Sequence, residues 1–211
     1  MNMRNVILAF ALCTVVPMAA QAEESIDERW NVDADAKISV ENVAGNIEIE
    51  GWDKNEVHLT GTLGDSVEEL EVDETGSGLQ ISVINRDERR IDETELKLRV
   101  PESAVITASA VSADIEISGM DNKKLTGSSV SGDVQVRATS QWVSLESVSG
   151  DVGFSGKTGR ISAESVSGDI ELSGISGSIE ATTVSGDMEL EASDMKSGKF
   201  ETVSGDCLLY T

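Results

Sequence analysis

The sequence predicts an all-β protein, a single-domain parallel β-solenoid (β-helix) made of coils of about 18 residues. Three observations lead to this prediction. A tetrapeptide recurs at nearly constant spacing, apolar residues alternate on both sides of each copy, and Gly (19 residues) far outnumbers Pro (2). Residues that alternate with a period of two lie on one face of a strand. A unit too small to bury that face alone must stack on copies of itself.

The repeated tetrapeptide is Val-Ser-Gly-Asp, and we interpret each copy as the corner between two short strands. After a first variant, the copies follow at steps of 19, 18, 18, 18 and 19 residues: Val111–Asp114, Val130–Asp133, Val148–Asp151, Val166–Asp169, Val184–Asp187 and Val203–Asp206. A more distant copy is Val43-Ala44-Gly45-Asn46. Identical coils at this spacing predict that equivalent strands pair in parallel.

Apolar residues occupy fixed positions on both sides of each corner. They lie one and three residues after the Asp, as in Ile170 and Leu172, and three and five residues before the Val, as in Ile161 and Ala163. Cys207 holds the same position as Ile170, so it is predicted to be a buried small hydrophobic residue. Each buried Val, Leu or Ile contributes about 1.5–3 kcal/mol, which requires several stacked coils to offset the ordering of the chain.

The segment 36–105 is predicted to be a variant N-terminal cap with an antiparallel excursion. Its first part keeps the apolar pattern of a coil. Longer alternating runs follow, and they predict strands joined by turns at Thr75–Gly78 and around Asp87–Arg90: Val57–Leu59, Leu70–Val72, Leu79–Ile84 and Leu96–Val100. Pro101 is expected to end the last of these strands.

The first 22 residues have the pattern of a secretory signal peptide. Arg4 precedes an apolar run, Val6–Ala19, and the small residues Ala20 and Ala22 frame a cleavage site. This run is too short for a membrane span, which needs about 20 residues. The predicted organisation is therefore a signal peptide (1–22), a lead-in (23–35), variant coils (36–105) and regular repeats (106–211). We expect an exported protein that is periplasmic, secreted or at the cell surface.

The charge of the chain excludes several classes of function. Its 39 acidic and 16 basic residues give a net charge of −23, and such a surface repels nucleic acids and anionic lipids. A single histidine, His58, offers little to a zinc site or to a Ser–His–Asp triad. Loss of Cys13 with the signal peptide would leave only Cys207, so no disulfide within the exported chain is expected.

The Gly51-Trp52-Asp53 element, together with the Val-Ser-Gly-Asp repeats, is similar to a bacterial family of unknown function. Its members are described as adhesins or β-strand-repeat domains, and the resemblance covers about 36–211. The resemblance implies a right-handed β-solenoid in exported or envelope-associated proteins. It implies no enzyme activity and supplies no catalytic residue. A fold-level label of this kind is weak support for adhesion.

A column of aspartates is the most suggestive candidate site. Stacking would place Asp114, Asp133, Asp151, Asp169, Asp187 and Asp206 about 4.8 Å apart, where unit charges repel by about 1 kcal/mol even in water. The interpretation that we favour is that each Asp accepts hydrogen bonds from its own turn. The alternative is a column of calcium ions, which prefer several oxygen ligands.

Two further columns are interpreted as structural. The serines of the tetrapeptides are expected to bond their own backbone: Ser112, Ser131, Ser149, Ser167, Ser185 and Ser204. An outward column, which includes Glu116, Glu171 and Glu189, is expected to form a solvated acidic face. No residue is assigned as catalytic, cofactor-binding or metal-binding, and no cofactor is expected.

The predicted function is a noncatalytic exported scaffold or adhesin-like interaction module that binds through repeated polar faces. One alternative is the calcium-dependent binding protein, and the other is a carbohydrate-active enzyme on a β-helix. Two observations count against an enzyme that acts on sugars. Trp142 is the only outward aromatic residue expected in the repeats, so a cleft lined by aromatic rings is not expected. Lys157 and Arg160 are the nearest pair of bases, which is few for a polyanionic substrate. The expected partner is an envelope component or a protein, with no nucleic acid and no membrane span. The terminal coil could also support end-to-end self-association.

Overall fold

The computed structural model describes residues 24–86, 92–192 and 194–210. These residues form a single sheet of 14 strands that does not close on itself, and no helix is found among them. The all-β prediction is therefore confirmed. The predicted signal peptide and the predicted turn at Asp87–Arg90 lie outside the described residues.

The longest strands are β2, β7, β8 and β9, with 13 to 25 residues. In chain order they are β1 (Glu24–Asn31), β2 (Lys37–Trp52), β3 (Glu56–Leu63), β4 (Val67–Thr75), β5 (Gly78–Asn85), β6 (Thr94–Pro101), β7 (Val105–Ser129), β8 (Val134–Ser147), β9 (Val152–Glu164), β10 (Ile170–Ile175), β11 (Ser178–Ser185), β12 (Met188–Ala192), β13 (Ser197–Ser204) and β14 (Cys207–Tyr210). The strands predicted within the cap lie in β3, β4, β5 and β6.

From β7 onwards, successive repeats pair in parallel and in register. One column of partners runs through Ile115, Val134, Val152, Ile170 and Met188 to Cys207. A second column runs through Leu125, Val143, Ile161, Ile179 and Gly198. Because the apolar pattern repeats with the coil, each column places the same kind of side chain on the inner face.

These inward columns form the core. In the first column every member from Ile115 to Met188 is buried. The core becomes more open in the last coils: Gly198 is exposed and Phe200 is half-buried, and a Cβ on Gly198 would lie 2.5 Å from Cζ of Phe200.

The N-terminal part contains both parallel and antiparallel pairs, with antiparallel strands inside the segment 36–105. Strand β2 pairs in parallel with β5, β6 and β7. However, β3 is antiparallel to both β1 and β6, and β4 is antiparallel to β5. Only Gly76 and Ser77 connect β4 to β5, and so short a connection can join antiparallel neighbours but not parallel ones. The sheet as a whole is therefore mixed.

The prediction that Cys207 is buried is wrong. Cys207 pairs with Met188 in the expected register, but its side chain is exposed. Its neighbours Leu208, Leu209 and Tyr210 are exposed by 52%, 41% and 50%. In the part of the chain that the structure describes, no strand pairs with the outer edge of β14, so these residues lack the further coil that covers Met188.

Candidate functional site

Two sets of polar residues recur along the regular coils, and we call each set a corner. The Ser-Gly-Asp corner comprises residues 129–133, 147–151, 165–169 and 183–187. The groove corner comprises residues 121–124, 139–142 and 157–160, which lie within β7, β8 and β9. The predicted site columns lie at the first corner, whereas the second corner was not predicted as a site.

The aspartates of the Ser-Gly-Asp corner bond to the next coil and not to their own turn. The backbone N–H of Asp151 donates to Oδ1 of Asp133 at 2.8 Å, and the N–H of Asp169 donates to Oδ1 of Asp151 at 2.8 Å. The same bond joins every other adjacent pair from Asp114 to Asp206. This corrects the expectation of bonds within one turn. Each carboxylate from Asp114 to Asp187 gains a backbone donor, which offsets repulsion along the column.

Within the described residues, no group of three or more His, Cys, Asp or Glu side chains is arranged to hold a metal ion. The Oδ1 atoms of the stacked aspartates already accept backbone hydrogen bonds. Calcium would have to compete with these bonds for its oxygen ligands. The geometry thus favours a structural role for this column.

A buried hydroxyl column, which the sequence analysis missed, completes this corner. Oγ of Ser147 accepts a hydrogen bond from the N–H of Gly150 at 2.9 Å and donates to the carbonyl of Gly132 at 3.1 Å. Ser129 and Ser165 make the same pair of bonds. The signal was present in the sequence, because a hydroxyl residue directly precedes the Val of the copies from Val130 onwards.

The serines within the tetrapeptides have a different role from the one predicted. Ser131, Ser149 and Ser167 are exposed, and it is their backbone N–H that bonds the previous coil, as from Ser149 to the carbonyl of Val130 at 3.0 Å. The preceding valines are also exposed, by 41–48% from Val111 to Val184. The outer ridge of this corner is thus a regular alternation of valine and serine.

The glycines of this corner are required by close backbone contact. A Cβ on Gly150 would lie 2.1 Å from the carbonyl oxygen of Gly132, and a Cβ on Gly168 would lie 2.0 Å from that of Gly150. Real Cβ atoms do not approach this closely. The coils can therefore stack at this corner only where no side chain is present.

The predicted acidic face is exposed and contains ion pairs that join neighbouring coils. Arg137 Nη1 lies 2.9 Å from Oε1 of Glu116, and Lys199 Nζ lies 3.0 Å from Oε1 of Glu180. The hydrogen bond with Glu180, assisted by the charge of Glu201, raises the pKa of the Lys199 ammonium. Exposed pairs of this kind contribute little to stability, which agrees with a solvated face.

His58 lies apart from both corners. Its Nε2 is 2.8 Å from Oδ1 of Asp27, and its ring stacks on that of Trp52 with a centroid distance of 6.3 Å. His58 lies on strand β3, and its side chain retains 15% exposure.

The groove corner borders an open groove of about 510 Å³ that runs across several coils. Its lining includes Asp35, Ser103, Asp121, Lys123, Gln141 and Lys157. A buried polar row lies at its base. Ser140 Oγ donates to Oδ1 of Asn122 at 2.7 Å, and Asn122 Nδ2 donates to the carbonyl of Ala104 at 2.8 Å. These bonds fix the backbone that carries the outward residues.

An aromatic side chain with two cationic neighbours lies beside this groove. The register pairs Trp142 with Lys124 on one side and with Arg160 on the other. Lys124 Nζ lies 4.4 Å from the centroid of the Trp142 ring, a cation–π contact. Trp142 nevertheless remains 41% exposed. The register thus brings Trp142 beside Arg160, and Lys157 lies on the same strand as Arg160 and lines the groove.

Comparison with solved structures places this fold among bacterial proteins. A "putative adhesin" from Bacteroides fragilis is 18% identical, with a TM-score of 0.52, and the alignment covers 88% of this chain and 97% of that chain. A "putative lipid binding protein" from Parabacteroides distasonis is 14% identical over 87% of this chain and 96% of its own, with a TM-score of 0.44. At 18% identity, the likeness to the Bacteroides fragilis protein concerns the fold alone.

Among the described residues, no helix is long and apolar enough to span a membrane. No curated protein matches the chain. The family model described as Toastrack DUF4097 matches residues 35–210, which is most of the chain. As the resemblance of its repeats predicted, the chain belongs to the Toastrack DUF4097 family.

Proposed function

We propose that the protein is a noncatalytic, adhesin-like interaction module that is exported and acts in the cell envelope or at the cell surface. The observation that carries this proposal is which of the repeated polar groups join neighbouring coils and which do not. At the Ser-Gly-Asp corner, the carboxylates, buried hydroxyls and backbone N–H groups bond to neighbouring coils. These groups build a long scaffold, and the outward side chains between the corners remain available for binding.

Family membership and fold support the same proposal. The Bacteroides fragilis protein with this fold is described as a putative adhesin, and we extend that role to this chain. We further infer that the parallel coils form a right-handed solenoid, as the resemblance implies. A solenoid presents extended, regular faces, which suit binding by surface contact more than by a deep pocket.

The two alternatives receive less support. The calcium-dependent alternative needs carboxylate oxygens that already accept backbone hydrogen bonds. The carbohydrate-active enzyme needs two acids placed on either side of a scissile bond. The described acidic residues of the regular coils lie in exposed columns, as Glu116, Glu171 and Glu189 do, and no feature singles out such a pair.

Cosedimentation of purified 23–211 with separated envelope fractions, in calcium and in chelator, tests the proposal. Calcium-independent pelleting with one fraction would support the interaction module and would identify the fraction that holds its target. Pelleting that chelator abolishes would favour the calcium-dependent alternative. Absence of pelleting with every fraction would contradict the adhesin-like role.

Self-association through the last described coil stays a prediction. Strand β14 presents an unpaired edge among the described residues and three large exposed side chains, Leu208, Leu209 and Tyr210. An exposed, apolar strand edge can pair with a second copy. Sedimentation velocity at increasing concentration should show a dimer that a Leu208→Lys, Leu209→Lys variant no longer forms. A monomer at all concentrations would contradict this prediction.

A further inference from the structure

We propose that the groove corner binds an anionic oligosaccharide, namely a chain of sugar residues that carry carboxylates. This inference rests on the proposed function and names the ligand class of the binding module. It is argued from the unpaired cations of the corner, from the exposed ring of Trp142 and from the polar residues that line the groove.

The cations of the groove corner differ from Arg137 and Lys199, which lie on the outward acidic faces. Arg137 and Lys199 are held by glutamates within 3.0 Å. By contrast, Lys123, Lys157 and Arg160 are exposed and have no carboxylate within ion-pair distance among the described residues. In a chain with a net charge of −23, these unpaired cations, on β7 and on β9 with β8 between them, form a local positive site. Such a site attracts an anion that lies against this corner.

Trp142 adds a platform for a sugar ring. The indole face is electron-rich, and it packs well against polarised C–H groups. Lys124 lies over the ring at 4.4 Å from its centroid, and Arg160 is its partner on the opposite side in the sheet. A sugar that packs on the exposed part of this ring therefore has its carboxylate within reach of a cation. The platform and the cations act on the same residue of the ligand.

The groove supplies polar partners at the spacing of the coils. Asp121, Thr139 and Lys157 occupy equivalent outward positions, and the register pairs Thr139 with each of the other two. Neighbouring strands lie about 4.8 Å apart, which is comparable with the length of one sugar residue in an extended chain. Hydroxyl groups of successive residues would meet equivalent side chains. The buried bonds of Ser140 and Asn122 hold this surface before the ligand binds, which reduces the entropic cost of binding.

The size and charge of the groove favour this ligand over other anions. A volume of about 510 Å³ lies within the usual range for small-ligand sites, roughly 300–1,000 Å³. Asp35 and Asp121 line the same groove, and their charge would repel a densely charged strand. Nucleic acids present a phosphate at every nucleotide and need many basic contacts. An oligosaccharide with spaced carboxylates and many hydroxyls matches the mixture of side chains better.

Isothermal titration of the 23–211 protein with oligogalacturonate, cello-oligosaccharide and single-stranded DNA of similar length tests the proposal. We expect binding of oligogalacturonate that weakens as salt is added, and at least about tenfold weaker binding of the neutral sugar and of DNA. Trp142→Ala should weaken binding of oligogalacturonate about tenfold, and Trp142→Phe should restore most of it, since a ring remains. The double variant Lys157→Glu, Arg160→Glu should abolish detectable binding.

Arg137→Glu is the matched control, because it makes the same kind of charge change on the acidic face outside the groove. It should leave binding within about twofold, since Arg137 is paired with Glu116 and does not line the groove. Thermal unfolding by circular dichroism checks that each variant is folded. Retained binding in the Trp142→Ala variant and in the Lys157→Glu, Arg160→Glu variant, or equal binding of DNA, would overturn the groove assignment.

The two proposals fail in distinguishable ways. If oligogalacturonate does not bind but the protein still pellets with one envelope fraction, the ligand class is wrong and the interaction module stands. If the Lys157→Glu, Arg160→Glu variant also pellets normally, the groove is not the site of envelope contact. If neither the sugar nor any fraction binds, both proposals fail.

Discussion

The two corners of one regular coil use polar residues for different purposes. At the Ser-Gly-Asp corner the same residue types recur in every coil, and each bonds to its equivalent neighbours, as Asp151 does with Asp133 and Asp169. At the groove corner the residues change from coil to coil, and Lys123 and Lys157 are not paired with carboxylates among the described residues. Residues that recur in every coil are thus those that hold neighbouring coils together, whereas residues that change from coil to coil lie on a surface that stacking does not constrain.

The largest expected difference between the corners concerns their glycines. Gly150→Ala should destabilise the protein by about 3 kcal/mol, because the new Cβ would lie 2.1 Å from a backbone oxygen and the coils must separate. Gly159→Ala is the matched control at the groove corner. Its Cβ would meet only the carbonyl of Gln141, at 3.3 Å, and we expect a cost below about 1 kcal/mol. Equal melting temperatures of the two variants would contradict the comparison.

A smaller effect is expected from the buried hydroxyl column. Ser147→Ala removes both hydrogen bonds of a buried Oγ and leaves the N–H of Gly150 without this acceptor. We expect a loss of about 1–3 kcal/mol, the usual cost of an unsatisfied buried group. The control is Ser149→Ala in the same turn, where the side chain is exposed, with an expected change within about 0.5 kcal/mol. Urea denaturation of both variants measures the difference, and a Ser147→Ala variant as stable as the parent would refute it.

The stability of the protein should fall when an aspartate of the column loses its hydrogen-bond acceptor, but not when it loses only its charge. Asp151→Ala removes the acceptor for the N–H of Asp169 and should cost about 1 kcal/mol. Asp151→Asn keeps an Oδ1 acceptor and removes one charge from the column, so its stability should stay within about 0.5 kcal/mol of the parent and should rise relative to it at low salt. If thermal unfolding shows equal losses for both variants, the charge itself is what stabilises the stack.

The regular coils were predictable because a period of 18–19 residues fixes which residues become neighbours. The same period contained the groove cluster. Lys124, Trp142 and Arg160 are separated by 18 residues each, which already places them in one outward column. Considering the aromatic residue and the bases separately concealed this column. Residues that differ between repeats therefore also indicate which side chains become neighbours, as the recurring residues do.

Three features depended on long-range geometry that the period does not contain. The pairing of β3 between β1 and β6 joins segments that share no repeat. The inward position of Cys207 was correct in register, yet burial also requires a coil on its outer side. Whether Asp151 bonds its own turn or the next coil depends on the distance between coils, and a local motif does not specify that distance.

The smallest expected effect on stability concerns the side chains that line the groove. Lys157→Ala and Gln141→Ala should each leave the melting temperature almost unchanged, within about 0.5 kcal/mol in stability, because these exposed side chains line the groove and do not join coils. A loss as large as that of Ser147→Ala would mean that the groove corner also supports the stack. Unchanged stability together with weakened binding of oligogalacturonate would separate the two corners, one that holds the coils together and one that is free to bind.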